Sequence, residues 1–333
     1  MNNRPIDRIR NSALQMTLPS DMGDITDMGE INGVFHSIGA YAIYRVRLAD
    51  ETDPQRTNIS IPNTNQKVFS YGTEHLFVRQ TLITARRLFD NKVLDSSFDC
   101  KAGINLSFEA LQDMATMHDI IKELRAKLDK ISEDIKGLTI QQRSMNIPSM
   151  GDVRGETKAF LQKSDHVAVA LFKIAKLFYG DTIGPSWFES LRDLINKKYG
   201  EDDLFTKFLT AALPFLKFIR NARHAVEHEN KIQSVKVTDI SLSPSGAFNP
   251  PTIEIAHPET PQSSVLLLDL MEQMASQLAT VFEIMLAHLC SVNIPSSIGM
   301  PLFVTEYDEN QQKAFKCRYG YACKMGTQVV PFG

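Results

Sequence analysis

The sequence predicts a soluble, mainly α-helical protein, and three observations lead to that fold class. Apolar residues recur every three or four positions through 107–138 and through most of 156–294, which is the spacing of amphipathic helices. The alternating pattern of β-strands is clearest in one short region, 232–264. A hydrophobic content of 43% and a charged content of 23% are ordinary for a globular chain. We therefore expect a helical bundle with one inserted β-hairpin, preceded by a helical N-terminal region.

Composition and charge argue against several function classes. The net charge of -3 and the pI near 6.3 provide no whole-chain attraction to nucleic acid, so RNA binding would need a local patch. The apolar segment Val265–Cys290 is interrupted by acidic residues, which predicts a core helix and no membrane span. The four cysteines lack C-x-x-C spacing, which argues against a structural zinc site and against a disulfide framework. Because the N-terminus is polar and lacks the apolar run of a secretory signal, we expect a cytoplasmic protein. We also expect no cofactor, no metal and no membrane partner.

The N-terminal region, 1–143, is expected to be helical. Helix-like periodicity covers Ile31–Leu48 and Gln66–Phe89. In 107–138 the apolar residues alternate at spacings of four and three, which is typical of a coiled coil: Ala110, Met114, Met117, Ile121, Leu124, Leu128, Ile131, Ile135 and Leu138. Two interpretations stay open, a seam against a second copy of the chain and an amphipathic helix packed within one protomer. The N-terminal helices are also the expected contact for a protein regulator.

A linker at 144–155, punctuated by proline and glycine, is expected to separate this region from a helical domain at 156–294. The domain has the hairpin insertion at 232–264, and its helices are expected at Glu156–Tyr179, Ser186–Tyr199, Leu204–Glu229 and Val265–Ser291. The tail, 295–333, is expected to be extended, with a hairpin around Lys316–Lys324. Its interleaved basic and aromatic residues suit either a platform for single-stranded RNA or a half-buried hairpin with charged outer positions.

A cluster of polar residues in the third of these helices carries the functional hypothesis. At 100° per residue, Arg220, Arg223, His224, Glu227 and His228 fall in one arc of about 140°, with Asn221 beside them. The opposite arc is apolar and is expected to face the core. Arg223 and Glu227 have the spacing of an i,i+4 ion pair, which would hold the guanidinium in place.

Two arginines and two histidines on one helical face suit an anionic substrate. A guanidinium binds phosphate oxygens as a fork, and an imidazole exchanges protons near neutral pH. Cleavage of a phosphodiester by the 2′-hydroxyl of RNA needs these two abilities and needs no metal.

The segment from Arg223 to His228 resembles the signature of the HEPN superfamily, an Arg, then a polar residue, with a His four to six residues beyond the Arg. Four residues separate Arg223 from His228, and His224 occupies the polar position. The resemblance covers 156–294 and implies a metal-independent endoribonuclease that acts as a homodimer, as suits a toxin or an antiviral defence effector. It implies that Arg223 holds the scissile phosphate, that His228 is the general acid or base and that His224 orients one of these groups.

The helical geometry adds Arg220, Asn221 and Glu227 as supporting residues. Many HEPN proteins are noncatalytic, so the alternative is an RNA-binding or dimerisation module of the same fold.

Two other interpretations of the cluster remain. The segment from His224 to His228 also satisfies H-x-x-E-H, the zinc motif of one class of peptidases, for which Glu283 or Glu306 would be the third ligand. An ordinary helix with a solvated polar face would show the same pattern. His257, in a loop, and His288, in the last helix, are further histidines that the fold could bring near the cluster.

Overall fold

The protein has a mixed α and β fold, so the prediction of a mainly α-helical bundle with a single β-hairpin is wrong. The computed structural model describes residues 4–12, 19–135, 144–295, 301–326 and 328–332. Helices make up 51% and strands 19% of the chain, and the strands form four small antiparallel sheets. One sheet comes before the helices, one follows them, and two lie in the insertion that precedes the last long helix.

The N-terminal region is built on a four-stranded sheet in which neighbours in sequence pair in the order β1-β2-β3-β4. Its elements are α1 (Pro5–Arg10), β1 (Ile25–Ile31), β2 (Val34–Gly39), β3 (Ile43–Arg47), α2 (Ala49–Thr52) and β4 (Thr64–Phe69). The helix expected at Ile31–Leu48 is therefore a pair of strands. Asn32 and Gly33 both have positive φ, 51° and 72°, and this Asn-Gly pair closes the β1–β2 hairpin as a two-residue turn of the kind that favours hairpins.

The prediction of a helix at Gln66–Phe89 is correct only for its second half. Strand β4 occupies its first part, and helical structure begins only at α3 (Leu76–Val78). A π-helical turn at Arg79–Ile83 follows, and α4 (Thr84–Leu88) completes the segment.

The long helices follow the sequence periodicity closely. They are α5 (Cys100–Ile135), α6 (Val153–Tyr179), α7 (Trp187–Tyr199), α8 (Leu204–Glu227) and α9 (Leu267–Ser291), with a 3-10 turn at Gly180–Thr182 after α6. Helix α9 is long and apolar enough to cross a membrane, but 67% of its most apolar window is buried inside the protein. The prediction that this segment is a core helix is confirmed by that burial.

The apolar seam of α5 packs within the chain. Its residues from Ala110 to Leu124 are buried, and Leu128 and Ile131 are partly buried against the same core. Helix α5 lies along α6 and also contacts α9. The last seam residue, Leu138, lies outside the described residues. For the described part of the seam, the interpretation as an amphipathic helix packed in one protomer is therefore the correct one.

The insertion is larger than a hairpin. Strands β5 (Ser234–Thr238) and β8 (Thr252–Ala256) pair as expected, but β9 (Gln262–Leu266) adds a third strand in the order β5-β8-β9. Two short strands, β6 (Ser241–Leu242) and β7 (Phe248–Asn249), form a separate ribbon. Strand β9 is hard to recognise in the sequence because most of its residues are polar. Only Val265 of this strand packs on the core.

The tail folds back onto the helices as a three-stranded sheet. It contains β10 (Leu302–Glu306), α10 (Glu309–Phe315), β11 (Tyr319–Met325) and β12 (Gln328–Pro331), with β11 in the middle. The segment expected to be a hairpin, Lys316–Lys324, is thus mostly one central strand. The Tyr321 side chain is buried and its hydroxyl donates to the carbonyl oxygen of Leu88 at 2.7 Å, so this residue cannot stack on a base.

One hydrophobic cluster includes residues from the N-terminal sheet, from the long helices and from the tail. The domain boundary at 144–155 stays a prediction, and α5 and α6 pack against each other across it.

We expect Gly72→Ala to lower the free energy of unfolding by roughly 1–3 kcal/mol, the usual cost of forcing extra atoms into a packed site. A Cβ at Gly72 would lie 2.2 Å from the carbonyl oxygen of Gly39 and 2.5 Å from the backbone nitrogen of Tyr41. The control is Gly184→Ala, whose Cβ would meet only the Ser190 side chain, at 3.0 Å. Equal midpoints for the two variants in urea denaturation would contradict the prediction.

Candidate functional site

The polar cluster lies at the C-terminal end of α8. Asp203 is the N-cap that precedes the helix, and its carboxylate accepts hydrogen bonds from the backbone nitrogens of Phe205 and Thr206. Its apolar arc faces the core as predicted, since Ile219, Ala222 and Ala225 are fully buried. The last helical hydrogen bond runs from the nitrogen of His228 to the oxygen of His224 at 2.9 Å, and His228 leaves helical geometry with φ of -125°. The motif therefore ends the helix.

The predicted ion pair between Arg223 and Glu227 is confirmed, with Nη2 2.7 Å from Oε2. Glu227 is held on its other side by Gln162 of α6, whose Nε2 donates to Oε1 at 2.6 Å. The hydrogen bond from Gln162, together with the charge of Arg223, lowers the pKa of Glu227. Glu227 is thus ionised at neutral pH and positions the guanidinium.

A second carboxylate, Asp165 of α6, approaches the same guanidinium. Its Oδ2 lies 3.8 Å from Nε of Arg223, which is close enough for attraction but too far for a hydrogen bond. The Nε atom is buried and has no hydrogen-bond partner among the described residues. Burial raises the pKa of Asp165, and the charges of Arg223 and Arg220 oppose that rise. Arg223 therefore keeps one N–H group unused between two carboxylates.

The two imidazoles of the cluster lie side by side, with ring centroids 4.8 Å apart. Gln233, just before β5, donates from Nε2 to Nδ1 of His224 at 2.9 Å and to the carbonyl oxygen of His228 at 3.0 Å. Since a carbonyl can only accept, the amide nitrogen faces both groups, and Nδ1 of His224 is an acceptor. The proton of neutral His224 is consequently on Nε2. The His228 ring makes no hydrogen bond to any residue in the described ranges.

The supporting residues occupy the flanks. The guanidinium of Arg220 lies over the ring of Trp187, 5.0 Å from its centroid, a cation–π contact. Asn221 donates from Nδ2 to Oγ1 of Thr260 at 3.1 Å. His257 has its Nδ1 3.4 Å from the same Thr260 oxygen, so it lies close to the cluster. His288 instead stacks on Phe205, with centroids 5.2 Å apart.

Sequence reasoning missed four residues that shape this site. Gln162 and Asp165 come from α6, Trp187 begins α7, and Gln233 precedes β5. Their contacts depend on which faces of α6 and α8 meet. A signal was present for the first pair, because Gln162 and Asp165 have the i,i+3 spacing of one helical face.

The zinc-peptidase interpretation requires Glu283 or Glu306 as the third metal ligand. Glu283 is hydrogen-bonded to Gln80 at 3.3 Å, and Glu306 pairs with Arg318 at 2.9 Å. Among the residues that the structure describes, no group of three or more His, Cys, Asp or Glu side chains is arranged to hold a metal ion.

The free energy of unfolding at pH 7 is expected to rise in Asp165→Asn. Because burial raises the folded-state pKa of Asp165, the folded protein holds the proton more tightly than the unfolded chain does. The stabilisation linked to that proton is present at low pH and is lost as the pH rises through the folded-state pKa. The amide removes this dependence.

Thermal melts at pH 7 and near pH 4 would check the expectation, with exposed Asp181→Asn as the control. The advantage of Asp165→Asn over the wild type should shrink at the lower pH. A loss of stability at pH 7 would show that attraction to Arg223 outweighs burial.

No family model, no curated protein and no solved structure matches the chain. A functional proposal for this protein therefore rests on the residues of α8 and on the side chains that surround them.

Proposed function

We propose that the protein is a metal-independent endoribonuclease of the HEPN type, acting in the cytoplasm, that leaves 2′,3′-cyclic phosphate ends. One observation carries the proposal: the partly exposed guanidinium of Arg223 lies on the same helical end as two adjacent imidazoles, those of His224 and His228. One of those imidazoles, that of His228, makes no hydrogen bond to the described part of the chain. An unengaged imidazole at the surface is suited to exchanging a proton with substrate.

The reaction assigns a distinct task to each group. A base takes the proton from the 2′-hydroxyl, and the 2′-oxygen attacks phosphorus. The bond from phosphorus to the 5′-oxygen breaks, and an acid returns a proton to that oxygen, which leaves as a hydroxyl. His228 is the base or the acid, and Arg223 stabilises the charge that grows on the phosphate oxygens. His224, fixed by Gln233, presents a proton on Nε2 and orients the phosphate.

A homodimer in which the two motifs face each other would supply the proton-transfer group that one motif lacks. Within one protomer, Asp165 and Glu227 both lie beside the guanidinium of Arg223, which limits its attraction for a phosphate. The reaction also needs both a base and an acid, and a second copy of the motif supplies the other proton-transfer group. The HEPN resemblance implies the same arrangement.

The alternative function is a noncatalytic RNA-binding module. The geometry that favours it is the engagement of Arg223 by Glu227 at 2.7 Å, because a guanidinium already paired with a carboxylate is less able to stabilise the extra negative charge that develops on a phosphate during cleavage. RNA cleavage, as opposed to RNA binding, separates the two functions.

In excess chelator, purified protein should cleave total RNA, and His228→Ala or Arg223→Ala should reduce the rate by about 10²–10⁴, as for loss of a positioned catalytic group. Fully 2′-O-methylated RNA should resist cleavage, because the attacking hydroxyl is blocked. The control is His166→Ala, since His166 is exposed on α6 and its Nδ1 faces Asp113, 3.8 Å away.

Normal cleavage of methylated RNA would contradict the mechanism. RNA binding that His228→Ala leaves intact, without cleavage by any variant, would favour the noncatalytic alternative. Peptidase activity that chelator abolishes would instead support the zinc-peptidase interpretation.

Size-exclusion chromatography with light scattering should give about twice the chain mass of 37.4 kDa, because the facing motifs need two-fold symmetry. The His228→Ala protein should have the same mass, since the imidazole serves chemistry and not assembly. A monomer at micromolar concentration would remove the shared cleft from the proposal.

A further inference from the structure

A cavity of about 580 Å³ opens between the segment around α3, the middle of α5 and the middle of α9. No residue of the α8 cluster lines it, so it is a separate site. Its volume falls in the range of about 300–1,000 Å³ that is usual for small-molecule sites. We call it the α3–α5–α9 pocket.

The walls of the α3–α5–α9 pocket are shaped for a flat apolar group. The Phe77 and His118 rings stack with centroids 4.1 Å apart and planes 16° apart, and Tyr71 packs edge-on against Phe77 at 5.2 Å. The α9 side of the pocket includes two buried alanines, Ala275 and Ala279, together with Glu272 and Ser276. Aromatic rings from α3 and α5 and small side chains from α9 thus line one pocket, and we call the space beside these rings the slot. A planar ring system in the slot would pack against an aromatic side chain.

The charges around the pocket leave one cation uncompensated. Glu74 pairs with Lys316 at 2.9 Å, and Glu272 pairs with Arg125 at 2.5 Å. Lys122 is exposed at the rim and has no ion pair with the residues that the structure describes. Among the described charged side chains that line the pocket, the one left without an ion pair is therefore positive.

The remaining polar groups beside the slot have protein partners. The Tyr71 hydroxyl donates to Asp119 at 2.6 Å, and Asp119 itself is not among the side chains that line the pocket. His118 is neutral at physiological pH, because burial and the nearby His75 lower its pKa to about 4. A neutral His118 stacked on Phe77 extends the apolar wall and does not add a second cation.

The backbone beside the pocket contains a π-helical turn, which positions a polar side chain. The π-helical turn at Arg79–Ile83 contains Gln80, which lines the pocket. Gln80 donates to Glu283 at 3.3 Å and to Thr280 at 3.4 Å, so α9 holds it from behind. Turns of this kind are frequent at functional sites.

We propose that the α3–α5–α9 pocket binds a small planar aromatic anion, with its ring system between the Phe77–His118 wall and the alanines of α9 and its anionic group at Lys122. The volume excludes a folded partner, and the single free ammonium selects one negative group. This site is independent of the proposed ribonuclease function.

Two fluorescent probes differing in one group provide the test. 8-Anilinonaphthalene-1-sulfonate is an aromatic anion with a planar naphthalene ring, and N-phenyl-1-naphthylamine has the same rings without the sulfonate. Titration of the intact protein should show saturable binding of both. Lys122→Glu should weaken binding of the sulfonate about tenfold, as expected for losing a hydrogen bond to a charged group, and should leave the neutral probe unchanged. Lys127→Glu, exposed five residues later on α5, should change neither.

Ser276→Trp should block both probes by filling the mouth of the slot, since Ser276 is exposed and lines it. Near-ultraviolet circular dichroism of each variant would show that the fold is kept. Equal sulfonate affinity in Lys122→Glu and Lys127→Glu would overturn the anion assignment. Unchanged binding in a folded Ser276→Trp protein, or no saturable binding by the wild type, would overturn the site.

Discussion

The burial of α9 is the constraint on which the rest of this fold depends. A helix that is apolar over most of its surface must be covered on most of its sides. Here α4, α5 and α6 cover it together with strands from the insertion and the tail. The tail is tied to the same centre, because the Tyr321 hydroxyl and the Cys290 thiol both donate to the carbonyl oxygen of Leu88. The first and last parts of the chain are thus brought onto one core.

The candidate site is a consequence of how α6 and α8 cross on that core. Packing of their apolar faces brings Gln162 and Asp165 against the polar arc of α8. The result is a guanidinium held by one carboxylate, approached by a second, and left with an unused N–H group. Gln233 links the end of α8 to the start of the sheet in the insertion, so the position of β5 also decides the tautomer of His224. A site of this kind is preorganised by its neighbours.

The sequence predicted the helical half of the molecule well, because a long amphipathic helix repeats the same signal over many turns. Helices α6 to α9 lie near their expected limits, and the Arg223–Glu227 pair follows from spacing alone. The N-terminal sheet was missed because its strands are short, and short apolar runs fit a helix nearly as well. The Asn32–Gly33 turn was the local signal that would have separated the two.

What the sequence determined by itself was the amphipathic arc that gathers Arg220, Arg223, His224, Glu227 and His228, since helical geometry is local. Tertiary structure alone decided what that arc faces. It buried the α5 seam within the chain, although an identical pattern serves a coiled coil. It brought Asp165 to Arg223 and placed Phe77 and Ala279 in the lining of one pocket. These contacts join residues far apart in the chain, and their partners depend on the packing of whole faces, which no local pattern specifies.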